Sequence, residues 1–554
     1  METTHNEAEL HAIEQELGTE ILPGTEIMTD VGSHHFVKSR AGVLVPQPSS
    51  DPHDPLNWST KWKTLAITAS TSVTFVQGFG PLALAPAFPA YMAEFNTTLP
   101  EVVKFTGVAI LVLGFSNFIW VPLSSSFGRR PVYIASNLIV LASCIWRALA
   151  GSYGSFMGAC VLNGIGAGPA ESIQPAVIAD IFFLHDRGFW NTVYWTAYMG
   201  SLMVAPIICG AMTEALGWRP FWWLNVGIVA LSTIMVIFAF PETRYHREFS
   251  EEEAAAHNKV SPTASQEKDL SQIEKTETTT SNSPPDLSLS ATAARDPHLG
   301  KGTPSKQQWK LWMVSKNPGK LILLNLWIPW KLFAFPIVEF AAFVVSWSCS
   351  SFLTLNLTQS QAFAAPPYNI SPGNIGFMNF AILVGAAIGL ASAGPFSDWV
   401  SKRLTLKNKG IREPEMRLVA MIPYVLIMFI GNIIVSVGYD RKWHWAVIVC
   451  LGYTAAGIQV AALPAMVSTY AIDSYKPVAG QVMVAITVNK NVWGYGYSEF
   501  LNVWAAESGF IPPIMTNASL ILFFCLLGIP FYYFGKTFRR WSKNSNVHKM
   551  EGLE

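Results

Sequence analysis

The sequence predicts an all-α membrane protein, with twelve transmembrane helices in two pseudo-symmetric six-helix bundles. Three observations carry that expectation. Hydrophobic residues fill 51% of the 554 positions and charged residues 13%, against about 25% charged in an ordinary soluble domain, and mean hydropathy is +0.31. Apolar runs of about 20 residues, enough to cross roughly 30 Å of hydrocarbon as a helix, recur along the chain. They form two sets of six on either side of a polar interval.

Residues 1–60 are polar and acidic, opening on ETTHNEAEL, with no early apolar run. They are expected to form a disordered cytosolic tail without a cleavable signal peptide, so that the first span serves as its own insertion signal. The N-terminal bundle, 61–245, is predicted to hold spans near 64–84, 105–125, 132–150, 156–180, 190–212 and 221–241. Residues 246–325 contain EEEAAAHNKV and SPTASQEKDL, a mixture too polar to bury a core, and are predicted to be a largely disordered cytosolic linker. Within it, Lys306–Lys316 mixes Trp and Lys and is expected to form a short helix on the membrane surface. The C-terminal bundle, 326–537, is predicted to hold spans near 330–352, 374–395, 417–437, 444–470, 480–503 and 514–534, with 538–554 a cytosolic tail.

Cations beside the spans set the orientation. Lys61, Lys63, Arg129, Arg130, Arg187, Arg244, Arg247, the loop Lys402–Arg417, Lys536, Arg539 and Arg540 share one side if the spans alternate, and that side is assigned to the cytosol. The glycosylation sequons at Asn96, Asn356 and Asn369 then fall on the outer side, and the one at Asn57 on the inner. Trp218, Trp222, Trp223, Trp327 and Trp330 are expected at span ends, where amphipathic rings favour the interface.

All six cysteines stand singly in apolar runs, which argues against a disulfide framework or a zinc site. Formal net charge is zero, so no attraction to nucleic acid is expected. No metal or other cofactor and no catalytic residue is predicted. Nucleophile–base pairs and phosphate-binding loops are missing from the pattern, and GIGAGPA lies inside a span.

The loop after span two reads VPLSSSFGRRPVY and the one after span eight GPFSDWVSKR, which suggests an internal duplication. Here the chain resembles the major facilitator superfamily, whose signature for this loop is G-x-x-x-D-R-x-G-R-R. Gly128, Arg129 and Arg130 match it, while Val121, Ser125 and Ser126 stand where Gly, Asp and Arg are usual; the second copy keeps Gly394 and Asp398. CVLNGIGAGPAES resembles the family's fourth-span motif, with Cys160 in place of its Arg. SLMVAPIICG resembles the fifth-span antiporter motif through Pro206 and Gly210. DPHDPLNWS, PETRYHR and YAIDSYKPVAGQ are similar to fungal members of the drug:proton antiporter branch. The resemblance implies a cytosolic gate in which Asp180 pairs with Arg129 or Arg130, with Asp398 as its second-half counterpart; a solvated helix-end charge is the alternative for Asp180.

On a helical period Asn163, Ala167, Glu171 and Gln174 share one face of span four. An ionised Glu at the bilayer centre costs roughly 2.5–3.5 kcal/mol even on lenient scales, so such residues face a wet cavity or a partner. Glu171 is therefore expected either to load and release a proton or to tie spans together. Span eleven repeats the pattern with Thr487, Asn491, Tyr495, Ser498 and Asn502, and Lys490 beside them either faces the cavity or snorkels to the cytosolic surface. Glu339, Phe343, Ser346 and Ser350 share a face of span seven, and Asn191, Tyr194, Trp195 and Tyr198 one of span five. Gln77, Asn379 and Gln459 add polar groups to spans one, eight and ten. Together they suggest a central cavity for aromatic or cationic organic molecules.

The expected function is proton-coupled export of small organic compounds, drugs or fungal metabolites, by alternating access at the plasma membrane. A proton-coupled importer of polyamines or other organic cations is the first alternative, with Glu171 and Glu339 binding ammonium groups. A non-transporting nutrient sensor is the second. Partners are then the substrate, protons and the lipid bilayer, with a monomer expected.

Overall fold

Why the chain folds as a membrane bundle follows from its helices, seen in a computed structural model that describes residues 22, 25–27, 49, 51–245, 300–314, 317–408, 411–475 and 478–543. The tail and linker stretches outside these ranges, including most of 1–50, 246–299 and 544–554, lie outside the described residues. Span one is Thr60–Phe79, two Leu99–Phe127, three Arg129–Leu149, five Leu184–Leu216 and six Arg219–Ala239. Seven is Pro336–Phe363, eight Pro372–Lys407, nine Pro414–Asp440, ten Trp445–Ser474 and eleven Ala479–Ser508. Span twelve, Ile511–Leu526, bends by 40° into Gly528–Ser542. Span four comes in three pieces, Tyr153–Ala167, Pro169–Ser172 and Gln174–Ile181. Six spans on each side of the linker give the expected two halves.

Eight of these helices are long and apolar enough to cross a membrane by that criterion alone, and the bent pair makes a ninth. Spans one, four and eleven fall short because one carries Thr, Ser and Gln side chains, four is broken, and eleven holds Lys490 among asparagines. In lipid no hydrophobic force pulls helices together, so close approach relies on small residues. A Cβ on Gly164 would stand 2.7 Å from the Ala109 carbonyl oxygen in span two, and one on Gly166 would stand 2.7 Å from Val140 Cγ2 in span three.

The cationic span ends gather on one face, called here the basic face. On the opposite face spans five and eight seal the two halves together. Gly373 N, in the first turn of span eight, donates to Glu214 Oε2 at 2.9 Å. The Ser371 side chain leaves that helix start uncapped, so a carboxylate from the other half caps it. A Cβ on Gly376 would stand 2.8 Å from the Pro206 carbonyl oxygen, and Gly210 lies against the Pro372 carbonyl.

Several expectations change. Span one leaves the helix at Phe79 rather than near 84, and a turn runs over 80–84 because Gly80 and Pro81 favour one. Among the described residues of Lys306–Lys316, 306–314, there is one 3₁₀ turn, Lys306–Trp309, and residues 315–316 lie outside the described residues; a helix lies farther along, at Pro318–Leu332, with Pro in its first turn. Trp327 and Trp330 belong to this linker helix, and span seven begins only at Pro336. Trp218 and Trp222 are buried in an aromatic cluster with Tyr91 and Phe156, while Trp223 is exposed. Asn356 lies mid-helix in span seven and is 1% exposed, so its sequon is shut off from any enzyme; Asn96 and Asn369 are exposed in left-handed turns.

Residues 51–59 are docked rather than part of a free tail. Asp54 caps the turn at Leu56 N at 3.0 Å, Trp58 is fully buried, and Ser59 N donates to the Gly302 carbonyl at 2.9 Å. Earlier still, Glu26–Ile27 pairs antiparallel with Ile411–Arg412 in the loop after span eight. Thr25 Oγ1 donates to Glu413 at 2.9 Å and accepts from the buried Arg539 at 3.0 Å.

Gly376→Val tests the seal. Overpacking costs about 1–3 kcal/mol, so the variant is expected to lower the melting temperature and to expose opposite-face positions of spans five and eight to a membrane-impermeant thiol reagent. Unchanged labelling would contradict the packing described.

Candidate functional site

Span four breaks where Pro169 and Pro175 each remove a backbone N–H, leaving Pro169–Ser172 as a single turn between Gly168 and Ile173. That turn carries Glu171, which is 5% exposed. Span five stitches it in place: Tyr194 OH donates to the Ala170 carbonyl at 3.1 Å, and Tyr198 OH donates to the Glu171 carboxylate. The other half supplies two further donors from span eleven, Lys490 Nζ at 2.5 Å and Asn491 Nδ2 at 3.2 Å. Gly114 of span two makes room for them, since a Cβ there would stand 2.6 Å from Asn491 Cβ. An ion pair thus joins the two halves at mid-depth.

The pair sits in a cavity between the halves. Tyr198, Asn491 and Ser350 add polar groups to the lining, and the rest of the wall is apolar, including Leu82, Ile110, Leu113, Met199, Phe352 and Leu353. Glu171 and Lys490 are the charged lining groups among the described residues.

At the basic face Arg129 Nε lies 3.3 Å from Asp180 Oδ2, joining the start of span three to the end of span four. Arg130 instead donates to carbonyls, Ile237 O at 2.8 Å and Lys310 O at 3.2 Å, and stacks on Trp309 at 5.2 Å. Glu242 accepts from the backbone N–H groups of Arg129 at 2.9 Å and Arg130 at 3.0 Å, an acid at a helix N-terminus. In the second half Arg417, at the start of span nine, reaches Asp473 at the end of span ten at 3.0 Å and Asp398 of span eight at 2.9 Å.

A family profile described as Major Facilitator Superfamily matches residues 71–496, most of the chain. The chain belongs to the major facilitator superfamily. It is 26% identical over 552 residues to an uncharacterized MFS-type transporter of Schizosaccharomyces pombe, covering 94% of this chain and 93% of that one. It is 27% identical over 549 residues to protein HOL1 of Saccharomyces cerevisiae, covering 91% and 92%. To efflux pump radE of Floropilus chiversii it is 23% identical over 457 residues, covering 81% and 76%. Its fold matches the xylose transporter XylE from E. coli in a partially occluded inward open conformation, with a TM-score of 0.54, 10% identity, and 85% of this chain and 99% of that one covered. As a member of the superfamily the protein is a multi-pass membrane transporter of small molecules.

Within this superfamily fold the polar residues singled out from sequence separate. Glu171, Tyr198, Asn491 and Lys490 meet at the cavity, with Tyr194 holding the backbone behind them. The single stripe expected on span four does not survive the break at Gly168 and Ile173. Asn163 donates to Ser143 at 3.1 Å, and Gln174 donates to Ser70 at 3.0 Å and accepts from Tyr133 at 2.8 Å, both within the first half. Gln77 donates to Ser136 at 2.9 Å and Asn137 at 3.0 Å. Asn379 binds Gln359 at 3.1 Å and Gln459 the Ser348 carbonyl at 3.3 Å, so these amides tie helices of one half together. Tyr495 packs against Gly107 of span two, outside the cavity lining. Glu339 lies in the first turn of span seven, about 15 Å of helix from the cavity at Cys349. Lys490 reaches the cavity instead of snorkelling, because Glu171 faces it.

Sequence reading left Arg417, Asp473, Glu242 and Gly114 without roles. Their signals were present in the span-nine entry, YAIDSYKPVAGQ, PETRYHR and a lone Gly in an apolar run, but nothing local named their partners.

Lys490→Met leaves Glu171 buried without its counter-ion, a change that costs up to about 3–5 kcal/mol. Its melting temperature is expected to fall, and the double variant Lys490→Met, Glu171→Gln to recover most of the loss. A double variant no more stable than the single one would show that the pair is not coupled.

Proposed function

We propose that the protein is a proton-coupled exporter of small organic compounds, drugs or fungal secondary metabolites, working by alternating access at the plasma membrane. The observation that supports it most is the buried Glu171 carboxylate, a titratable group held by donors from both halves. When ionised it is tied to Lys490 and Asn491 across the cavity. Protonation cancels the ion pair, loosens the mid-depth tie and adds one positive charge to the cavity, so the two facings respond differently to proton binding. A substrate that binds the ionised site is then released where protons load it. The resemblance to drug:proton antiporters and a relative named as an efflux pump support the outward direction.

Import of organic cations held between Glu171 and Glu339 has less support, since Lys490 already meets Glu171 and Glu339 lies outside the cavity lining. In this reading Arg129 with Asp180, and Arg417 with Asp398 and Asp473, brace the cytosolic ends of the two halves as they part and close.

Transport of a radiolabelled compound panel by reconstituted vesicles with imposed pH gradients tests the proposal. Glu171→Gln is expected to abolish proton-driven accumulation, whereas Glu339→Gln preserves it. Coupled transport with unchanged pH dependence in Glu171→Gln would reject the reading.

Orientation has its own check. With the basic face cytosolic, Asn96→Gln and Asn369→Gln are each expected to remove one glycosidase-sensitive mobility shift, and Asn356→Gln none. A glycosidase-sensitive shift that survives both substitutions would contradict this orientation.

A further inference from the structure

Spans two and eleven pack against each other across the two halves. Toward the opposite face they touch directly: a Cβ on Gly107 would stand 2.6 Å from Ser498 Oγ and 3.3 Å from the Tyr495 ring. Gly114 and Asn491 meet likewise at the cavity. Toward the basic face the linker helix, Pro318–Leu332, packs against both spans.

Its start is fixed to span two. Met313 N donates to the Phe127 carbonyl at 3.0 Å and Ser126 Oγ to the Pro318 carbonyl at 3.4 Å. Farther along, Trp330 stacks on Phe118 with ring centroids 5.1 Å apart and planes 5° from parallel. On the other side Gln481 Nε2 of span eleven donates to Asn325 Oδ1 at 2.9 Å, both residues being buried. The inner face holds Asn325, Ile328 and Leu332, the outer face presents Leu323 and Trp327, with Trp327 67% exposed, and Trp330 lies at the edge between them, against Phe118. A helix apolar on both sides, one against protein and one uncovered, fits hydrocarbon on its outer side.

We propose that the linker helix is a lipid-supported wedge: it holds the basic ends of spans two and eleven apart, and the halves close the basic face only when it withdraws sideways into the bilayer. Packed interiors do not compress, so the two spans cannot approach while the helix fills the gap. Withdrawal into lipid costs little apolar burial, because lipid tails replace the side chains of the two spans. The lock is slight enough to break in every cycle. Among the described residues Asn325 Nδ2 and Gln481 Oε1 have no hydrogen-bond partner, so the amide pair makes one bond there, and one ring stack backs it. The N-terminal side of the wedge stays tethered to the first half through Gln308, whose side chain donates to the His53 carbonyl at 3.0 Å.

Spin-label distance measurements on the full chain in lipid nanodiscs test the wedge without any transport assay. One label pair, at Asp186 and Lys402, spans the basic face; the other, at Asn96 and Lys442, spans the opposite face. Gln481→Ala and Trp330→Ala are each expected to shift the population ratio roughly fivefold toward a closed basic face, the size set by losing about one weak interaction. The paired variant Asn325→Cys, Gln481→Cys is expected to stay open at the basic face when oxidised to a disulfide and to regain both states on reduction. Unchanged distance distributions in both alanine variants, or an oxidised pair that still samples both states, overturns the proposal. Loss of proton coupling in Glu171→Gln leaves these outcomes untouched, so the two readings fail separately.

Discussion

A carboxylate held away from water needs donors, and the cavity is organised around that demand. Glu171 is buried at bilayer depth, where an unpaired charge is expensive, and the first half offers it one donor, the Tyr198 hydroxyl. The remaining donors come from span eleven, so satisfying this one side chain requires the two halves to meet. The broken fourth span and the small residue at Gly114 follow from the same demand. The break turns Glu171 toward the centre, and the missing side chain at Gly114 lets Asn491 approach it.

Most of the architecture was legible because lipid imposes simple rules. Every spanning segment must satisfy its own backbone, so apolar helices announce themselves. Glu171 was legible too, since an acid in such a segment demands a reason. The face it occupies was not, because a single helical period was carried through Pro169 and Pro175, and the break sends Asn163 and Gln174 into the first half instead. Lys490 carried two readings that only its partner could decide, and that partner lies 319 residues away. Glu242 looks like an ordinary loop acid until the fold places it against backbone amides 113 residues earlier. Asn356 shows the opposite failure, a valid sequon whose position inside a packed helix removes its meaning.

The basic-face contacts show how far the two halves still mirror each other. Arg129 with Asp180 and Arg417 with Asp473 join the same pair of elements in each repeat, the entry of the third helix and the exit of the fourth. Asp398 adds a second acid in the later repeat, where the earlier one has the serines of its degenerate loop. Glu242 compensates in the earlier repeat, holding the same helix start through backbone N–H groups instead of through a side chain. The same Arg–Asp pairing thus stands in both repeats, with a different accessory acid beside each.

The short strand Glu26–Ile27 belongs covalently to the first half yet hydrogen-bonds to the second, where Thr25 also meets Glu413 and Arg539. Beside the contacts between their helices, the two repeats are therefore joined covalently by the linker and non-covalently by this stitch. If the chain were cut within the linker and its parts synthesised as separate polypeptides, the stitch would give the fragments a recognition point outside the bilayer from which to reassemble.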